Sequence, residues 1–190
     1  MRRSNDLPSI EVKLVSRLLP FAAGFAGMAV VLPLLAPAQT VTAALPVGSQ
    51  PYSVAVNPVT NRIYVANLAS ASVSVIDGST NNTTVVATGS YPVSAALNPA
   101  TNKIYVANYL GNNVTVIDGA SNTAISVAVG SEPLSIAVNP ATNKVYVANN
   151  GSGNVTVIDG ATNATETVAT GNQPHSLAVN PVTARGRRGM

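Results

Sequence analysis

One phrase returns four times at an interval of 41 residues: Pro51-Tyr52-Ser53-Val54-Ala55-Val56-Asn57-Pro58 recurs in register from Pro92, Pro133 and Pro174. Tyr64, Tyr105 and Tyr146 keep the interval, as do the Asp-Gly pairs at Asp77, Asp118 and Asp159. Self-similarity of this kind requires a repeat architecture, in which each unit buries its apolar surface only against its neighbours.

Four β-like runs fit within one copy. The first, Ser53–Asn57, stops at Pro58, which has no N–H to give a ladder. Thr60-Asn61 turns the chain into Arg62–Asn67, a polar loop leads to Ser72–Asp77, and Asp77-Gly78 opens the turn into Thr83–Thr88. Val, Ile, Thr and Tyr fill these runs, and Gly, Pro or Asn interrupts them about every ten residues, which excludes helices. Four short antiparallel strands in about forty residues make the blade of a β-propeller. Blades cover one another on both sides, so runs such as Val114-Thr115-Val116-Ile117 can exceed strict alternation. Small residues in the first run (Ser53 and Ala55, Ser94 and Ala96) suit the crowded strand nearest the axis. A β-solenoid also repeats β units, but sharp Asp-Gly reversals favour up-and-down strands.

The blocks Ile63-Tyr64-Val65-Ala66-Asn67, Ile104-Tyr105-Val106-Ala107-Asn108 and Val145-Tyr146-Val147-Ala148-Asn149 resemble the repeat of the YVTN family of β-propellers. The preceding Asn-Pro-x-Thr-Asn turns and following Val-x-Val-Ile-Asp-Gly strands strengthen the resemblance, which covers residues 41 to about 183. It implies a propeller, commonly seven-bladed, in exported bacterial and archaeal proteins that include surface-layer proteins. It implies no single activity.

The strand count predicts an open or incomplete propeller: one strand at Val41–Val47, three full blades, and a first strand of a fourth at Ser176–Asn180. Seven blades at this period would need 7 × 41 = 287 residues. The register ends after Thr183, where Ala184-Arg185-Gly186-Arg187-Arg188-Gly189-Met190 replaces the expected strand. Truncation or a frame shift in a longer propeller gene accounts for this, as does self-association that completes the ring.

Residues 1–38 read as a signal peptide. A basic region ends at Arg17, an uncharged run spans residues 18–35, and Ala36-Pro37-Ala38 offers a cleavage site before Gln39. Left uncleaved, the same run would be the chain's membrane anchor. The expected compartment is therefore periplasmic, extracellular or cell-surface. The domains are then 1–38, the repeats over 39–183, and a basic tail over 184–190.

The net charge of +3 comes from these ends. Between residues 39 and 184, Arg62, Lys103 and Lys144 face Asp77, Asp118, Glu132, Asp159 and Glu166, giving 3 − 5 = −2. That balance argues against a nucleic-acid partner. Absence of cysteine removes disulfides, thiol catalysis and thiolate metal sites. Antiparallel pairing of the second and third runs would set Arg62 beside Asp77, Lys103 beside Asp118 and Lys144 beside Asp159, as surface ion pairs. A Ca²⁺ site would need clustered carboxylates, which the spacing does not supply. No cofactor or metal is expected. The sequons at Asn82, Asn113, Asn150, Asn154 and Asn163 follow from the Asn and Thr that turns and strands require.

Against this uniform scaffold some positions vary. Gln50 and Tyr52 flank the repeated Pro in one copy, then Tyr91 and Val93, Glu132 and Leu134, Gln173 and His175. The loop after the second run changes as well: Leu68-Ala69-Ser70, Tyr109-Leu110-Gly111, Asn150-Gly151-Ser152. Both segments emerge at one end of an up-and-down blade, where loops on a rigid scaffold carry binding groups. Tyr52, Tyr91, Tyr109, Glu132 and His175 are the candidate ligand contacts. No nucleophile elbow, dinucleotide or P-loop motif is present, and no catalytic residue is assigned. The reading is an exported, non-catalytic binding module with a cell-envelope or extracellular partner. A piece of a lactonase- or lyase-like propeller enzyme is the alternative, with Glu132 and His175 as its acid and base.

Overall fold

In the computed structural model the described residues are 44–181, and their regular structure is entirely β. The chain divides into two compact units; the sheets belong to the one containing Val47–Met190, and the other, Ser9–Pro46, is described only over residues 44–46. The expected signal peptide, residues 1–38, and the basic tail, 184–190, lie outside the described residues, as do residues 41–43 of the flanking run Val41–Val47; the described remainder, 44–47, forms no strand, so the expected N-terminal strand is absent there.

Twelve strands form three separate four-stranded antiparallel sheets in simple up-and-down order. Blade 1 holds β1 (Pro51–Asn57), β2 (Arg62–Asn67), β3 (Ser72–Asp77) and β4 (Thr83–Ala87). Blade 2 holds β5 (Pro92–Asn98), β6 (Lys103–Asn108), β7 (Asn113–Asp118) and β8 (Ala124–Ala128). Blade 3 holds β9 (Pro133–Asn139), β10 (Lys144–Asn149), β11 (Asn154–Asp159) and β12 (Thr165–Ala169). Residues 174–181 repeat the first-strand phrase but lie in no strand, because no second strand of a fourth blade stands beside them among the described residues.

Every reversal in a blade places one residue in the left-handed region. Asn61, Asn102 and Asn143 do so between first and second strands, and Asn81, Asn122 and Asn163 between third and fourth. Asn tolerates this conformation better than other side-chain-bearing residues. Asx caps brace the same turns: Asn57 Oδ1 accepts from Val59 N at 3.0 Å, and Asp77 Oδ1 from Ser79 N at 2.9 Å and Thr80 N at 3.0 Å.

The core lies between blades. Tyr64, Ala66, Val73, Val75 and Val86 of blade 1 pack against Ile104, Val106 and Ile117 of blade 2. One period on, Tyr105, Ala107, Val114, Val116 and Val127 meet Ile136, Val145, Val147 and Ile158. The first strands β1, β5 and β9 adjoin across the blade boundaries, as innermost strands must. There Ala95 N donates to Ser53 Oγ at 3.0 Å. Leu177 N donates to Ser135 Oγ at 3.3 Å, so the fourth phrase occupies the inner strand's seat even without a ladder.

Side-chain donors next to the turns cross the same boundaries and reach forward. Asn57 Nδ2 donates to Asn102 Oδ1 at 2.9 Å and Asn98 Nδ2 to Asn143 Oδ1 at 2.8 Å. Arg62 does stand opposite Asp77 in register, and Lys103 opposite Asp118. The expected ion pairs nevertheless do not form there. Arg62 Nη1 reaches forward to Gly119 O at 2.5 Å, and Lys103 Nζ to Gly160 O at 2.7 Å. The next blade offers each of them a fixed carbonyl within reach. Lys144, with no described blade ahead of it, turns back to Asp159 at 2.8 Å, the only ion pair among the described residues. Lys103→Met should therefore cost about 1 kcal/mol, as a charged donor loses a structural acceptor. Lys144→Met should cost only about 0–1 kcal/mol in a single copy, as expected of a solvated pair. Urea unfolding of the two variants would measure the difference.

These caps set the pH response. Backbone N–H donors from Ser79 and Thr80 lower the Asp77 carboxyl, Ser121 and Ala120 lower Asp118, and Lys144 followed by Thr162 and Ala161 lowers Asp159. Carboxyls depressed by folding add stability above their unfolded value near ~4, and that stability is lost as pH falls through the folded values. Burial raises the Tyr64 and Tyr105 phenols, whose contribution is complete below about 10 and is lost as pH rises through the folded values. The melting temperature should be flat from about pH 5 to 9 and fall on both sides, measured by circular dichroism across a buffer series.

Candidate functional site

Two sets of loops meet at one end of the blades. The turn before each first strand carries Gln50, Tyr91, Glu132 and Gln173, all left-handed with φ of 52°, 57°, 52° and 53°. The loop between second and third strands is strapped to it: Leu68 N donates to Gln50 O, Tyr109 N to Tyr91 O and Asn150 N to Glu132 O, at 2.8, 2.8 and 3.0 Å. Sequence variation and rigid placement thus coincide at this end.

Of the five candidate residues, the structure joins two through their side chains, with Tyr91 tied to Tyr109 through its backbone carbonyl. Tyr109 Oη, from the loop after β6, donates to Glu132 Oε2 at 3.0 Å across the boundary between blades 2 and 3. That acceptor raises the Tyr109 phenol. Glu132 is held further by its own N–H, which donates to Asn112 Oδ1 at 3.0 Å. Tyr91 occupies in blade 2 the position of Glu132 in blade 3 and is 46% exposed. Tyr52 is set apart by a feature the sequence reading missed: pairing shifts between Pro51 and Ser53, so Tyr52 is the bulged residue of β1. Tyr52 stands 65% exposed, while Val93, bulged in the same way in β5, is 9% exposed, so the bulge alone does not expose the side chain. His175, the fourth-copy counterpart, is exposed and outside any strand, and among the described residues it makes no hydrogen bond to Glu132.

Beside Glu132 lies a shallow polar cleft of about 470 Å³, walled by Asn150, Gly151, Ser152, Gly153, Asn172 and Gln173. Asn150 Nδ2 donates to Pro174 O at 3.4 Å, and Ser152 Oγ accepts from Ser131 N at 2.5 Å, so two of its walls are braced. Variation between copies pointed to Gln173 and the loop 150–152; Asn172 gave no such signal. The wall is made of amides, hydroxyls and backbone, with no charged side chain. Among the described residues no group of three or more His, Asp or Glu side chains is disposed to hold a metal ion.

The fold defined by these sheets is that of a β-propeller, and solved structures agree. Hydrazine synthase from Kuenenia stuttgartiensis superposes with a TM-score of 0.62 at 25% identity, over 68% of this chain and 40% of its own. A functionally unknown protein from Desulfotomaculum acetoxidans DSM 771 gives 0.62 at 16% identity, over 75% and 49%. A 6-phosphogluconolactonase assigned by similarity, from Bacteroides fragilis NCTC 9343, gives 0.57 at 18%, over 70% and 43%. The chain thus spans less than half the length of each. No protein-family model matches it, and no curated sequence is significantly similar to it.

Proposed function

We propose that this chain is an exported, non-catalytic propeller module of the YVTN type that binds a cell-envelope ligand at its loop end. The observation carrying this reading is the choice of side chains at the left-handed positions. At the opposite end Asn serves at every turn, and the loops between second and third strands use Ala71, Asn112 and Gly153, but before each first strand Gln50, Tyr91, Glu132 and Gln173 hold large side chains in a conformation that costs them about 1 kcal/mol or more each. Strain of this kind accumulates where a side chain is displayed for recognition. The amide- and hydroxyl-lined cleft beside Glu132 suits a neutral, hydroxyl-rich ligand such as an envelope glycan, with the Tyr109 ring as an adjoining flat surface. The leader over residues 1–38 supports delivery to the periplasm or cell surface.

Sedimentation with purified cell-wall glycan tests the reading. The wild-type chain should co-sediment, and Asn150→Ala with Gln173→Ala should release it while the β-sheet spectrum is kept. Equal retention of the double variant would overturn the site. Lactone hydrolysis that disappears in Glu132→Gln would overturn the non-catalytic reading.

A further inference from the structure

The forward-reaching bonds between blades have donors behind and acceptors ahead, and the two ends of the three-blade arc carry the unmatched halves. At the trailing end stand Asn139 and Lys144, the counterparts of Asn57 and Arg62, and of Asn98 and Lys103. At the leading end stand Asn61 and Gly78, the counterparts of the acceptors Asn102 and Gly119, and of Asn143 and Gly160. Apolar surface is mismatched in the same way. Tyr105 is 0% exposed beneath blade 3, but Tyr146 is half-buried and opens, with Lys144, Val157, Asp159 and Glu166, onto a cleft of about 310 Å³. Val54 and Val56 of β1 are 44% and 55% exposed, whereas their counterparts Ala95 and Leu97 pack against blade 1.

We propose that blade 1 of a second copy of this chain docks on blade 3, so that two copies close one ring. The contact repeats an interface that the chain already makes twice: Asn139 would donate to the partner's Asn61, and Lys144 would leave Asp159 for the carbonyl of the partner's Gly78. The arithmetic of closure selects the stoichiometry. The described blades of two copies number 2 × 3 = 6, within the range of four to eight that propellers use, and those of three copies number nine, outside it. Residues 174–181 hold the seat of the incoming inner strand, with Leu177 and Val179 where the partner's Val54 and Val56 would lie. That segment brings no further strand among the described residues, so a whole blade carrying the same phrase outcompetes it. The pairing is independent of what the loop end binds.

Equivalent substitutions at the two competing positions should have opposite effects. Native mass measurement of the purified chain should give the mass of two copies. Val54→Asp should weaken the dimer roughly tenfold or more, since it puts a charge into the docked face. Leu177→Asp should strengthen it severalfold by emptying the seat. Val56→Asp repeats the first test at a more exposed residue, where a folding defect is not expected. A single-chain mass at every concentration, a complex of three copies, an unweakened Val54→Asp dimer, or a weakened Leu177→Asp dimer would each overturn the proposal.

Discussion

Tyr105→Ala should lower the stability of the blades by about 3–5 kcal/mol, the range for deleting a large buried aromatic side chain. Tyr105 is 0% exposed and packs with Ala107, Val114 and Val116 of its own blade against Val145, Val147 and Ile158 of the next. The neighbours are β-branched side chains on paired strands, which cannot shift far into the space left behind. At roughly 3 °C per kcal/mol for a unit of this size, the melting temperature should fall by about 10 °C or more. Tyr146→Ala, in the same repeat position but half-buried in a single copy, should cost clearly less when both are measured on the undocked chain carrying Val54→Asp. Guanidinium unfolding of both variants checks the pair, and equal losses would show that blade-on-blade burial is not what holds the sheets together.

Gly119→Ala should be among the most damaging single methyl additions, at about 2–3 kcal/mol, the upper part of the range for overpacking. An added Cβ would stand 2.5 Å from Asn102 Oδ1 and 2.7 Å from Asn102 O, and the backbone oxygen cannot rotate away. Relief would move the Gly119 carbonyl, which is the acceptor for Arg62 of blade 1, so the strain would pass into the blade boundary. Gly171→Ala is the control, because nothing lies within 4 Å of its added Cβ. Thermal unfolding should leave that variant within about 0.5 kcal/mol of the parent, as for other surface changes.

Much of the fold was legible because it is written along the strands. The runs Arg62–Asn67 and Ser72–Asp77 were bounded by their turns and coincide with β2 and β3. Period, strand order and the register of Arg62 with Asp77 follow from spacing alone. What spacing along one sheet cannot convey is how far one sheet is offset from the next. That offset decided whether Arg62 and Lys103 paired with their own aspartates or reached onward, and it brought Tyr109 to Glu132. Local backbone geometry was the other gap. The bulge at Tyr52 leaves no mark in composition, since Val93 fills the same position in the next copy. Of the site, variation located the loop end, whereas the cleft beside Glu132 depends on how the loop 150–153 packs against residues 172–173, which spacing does not specify.

Each stitch between neighbouring blades joins residues a short way apart in the chain: 42 positions for Ala95 and Ser53, 45 for Asn57 and Asn102, 57 for Arg62 and Gly119. No bond of this series waits for a distant terminus. Such a polypeptide can acquire structure in the order in which it leaves a ribosome or a translocation pore, every fresh segment settling on the one before it.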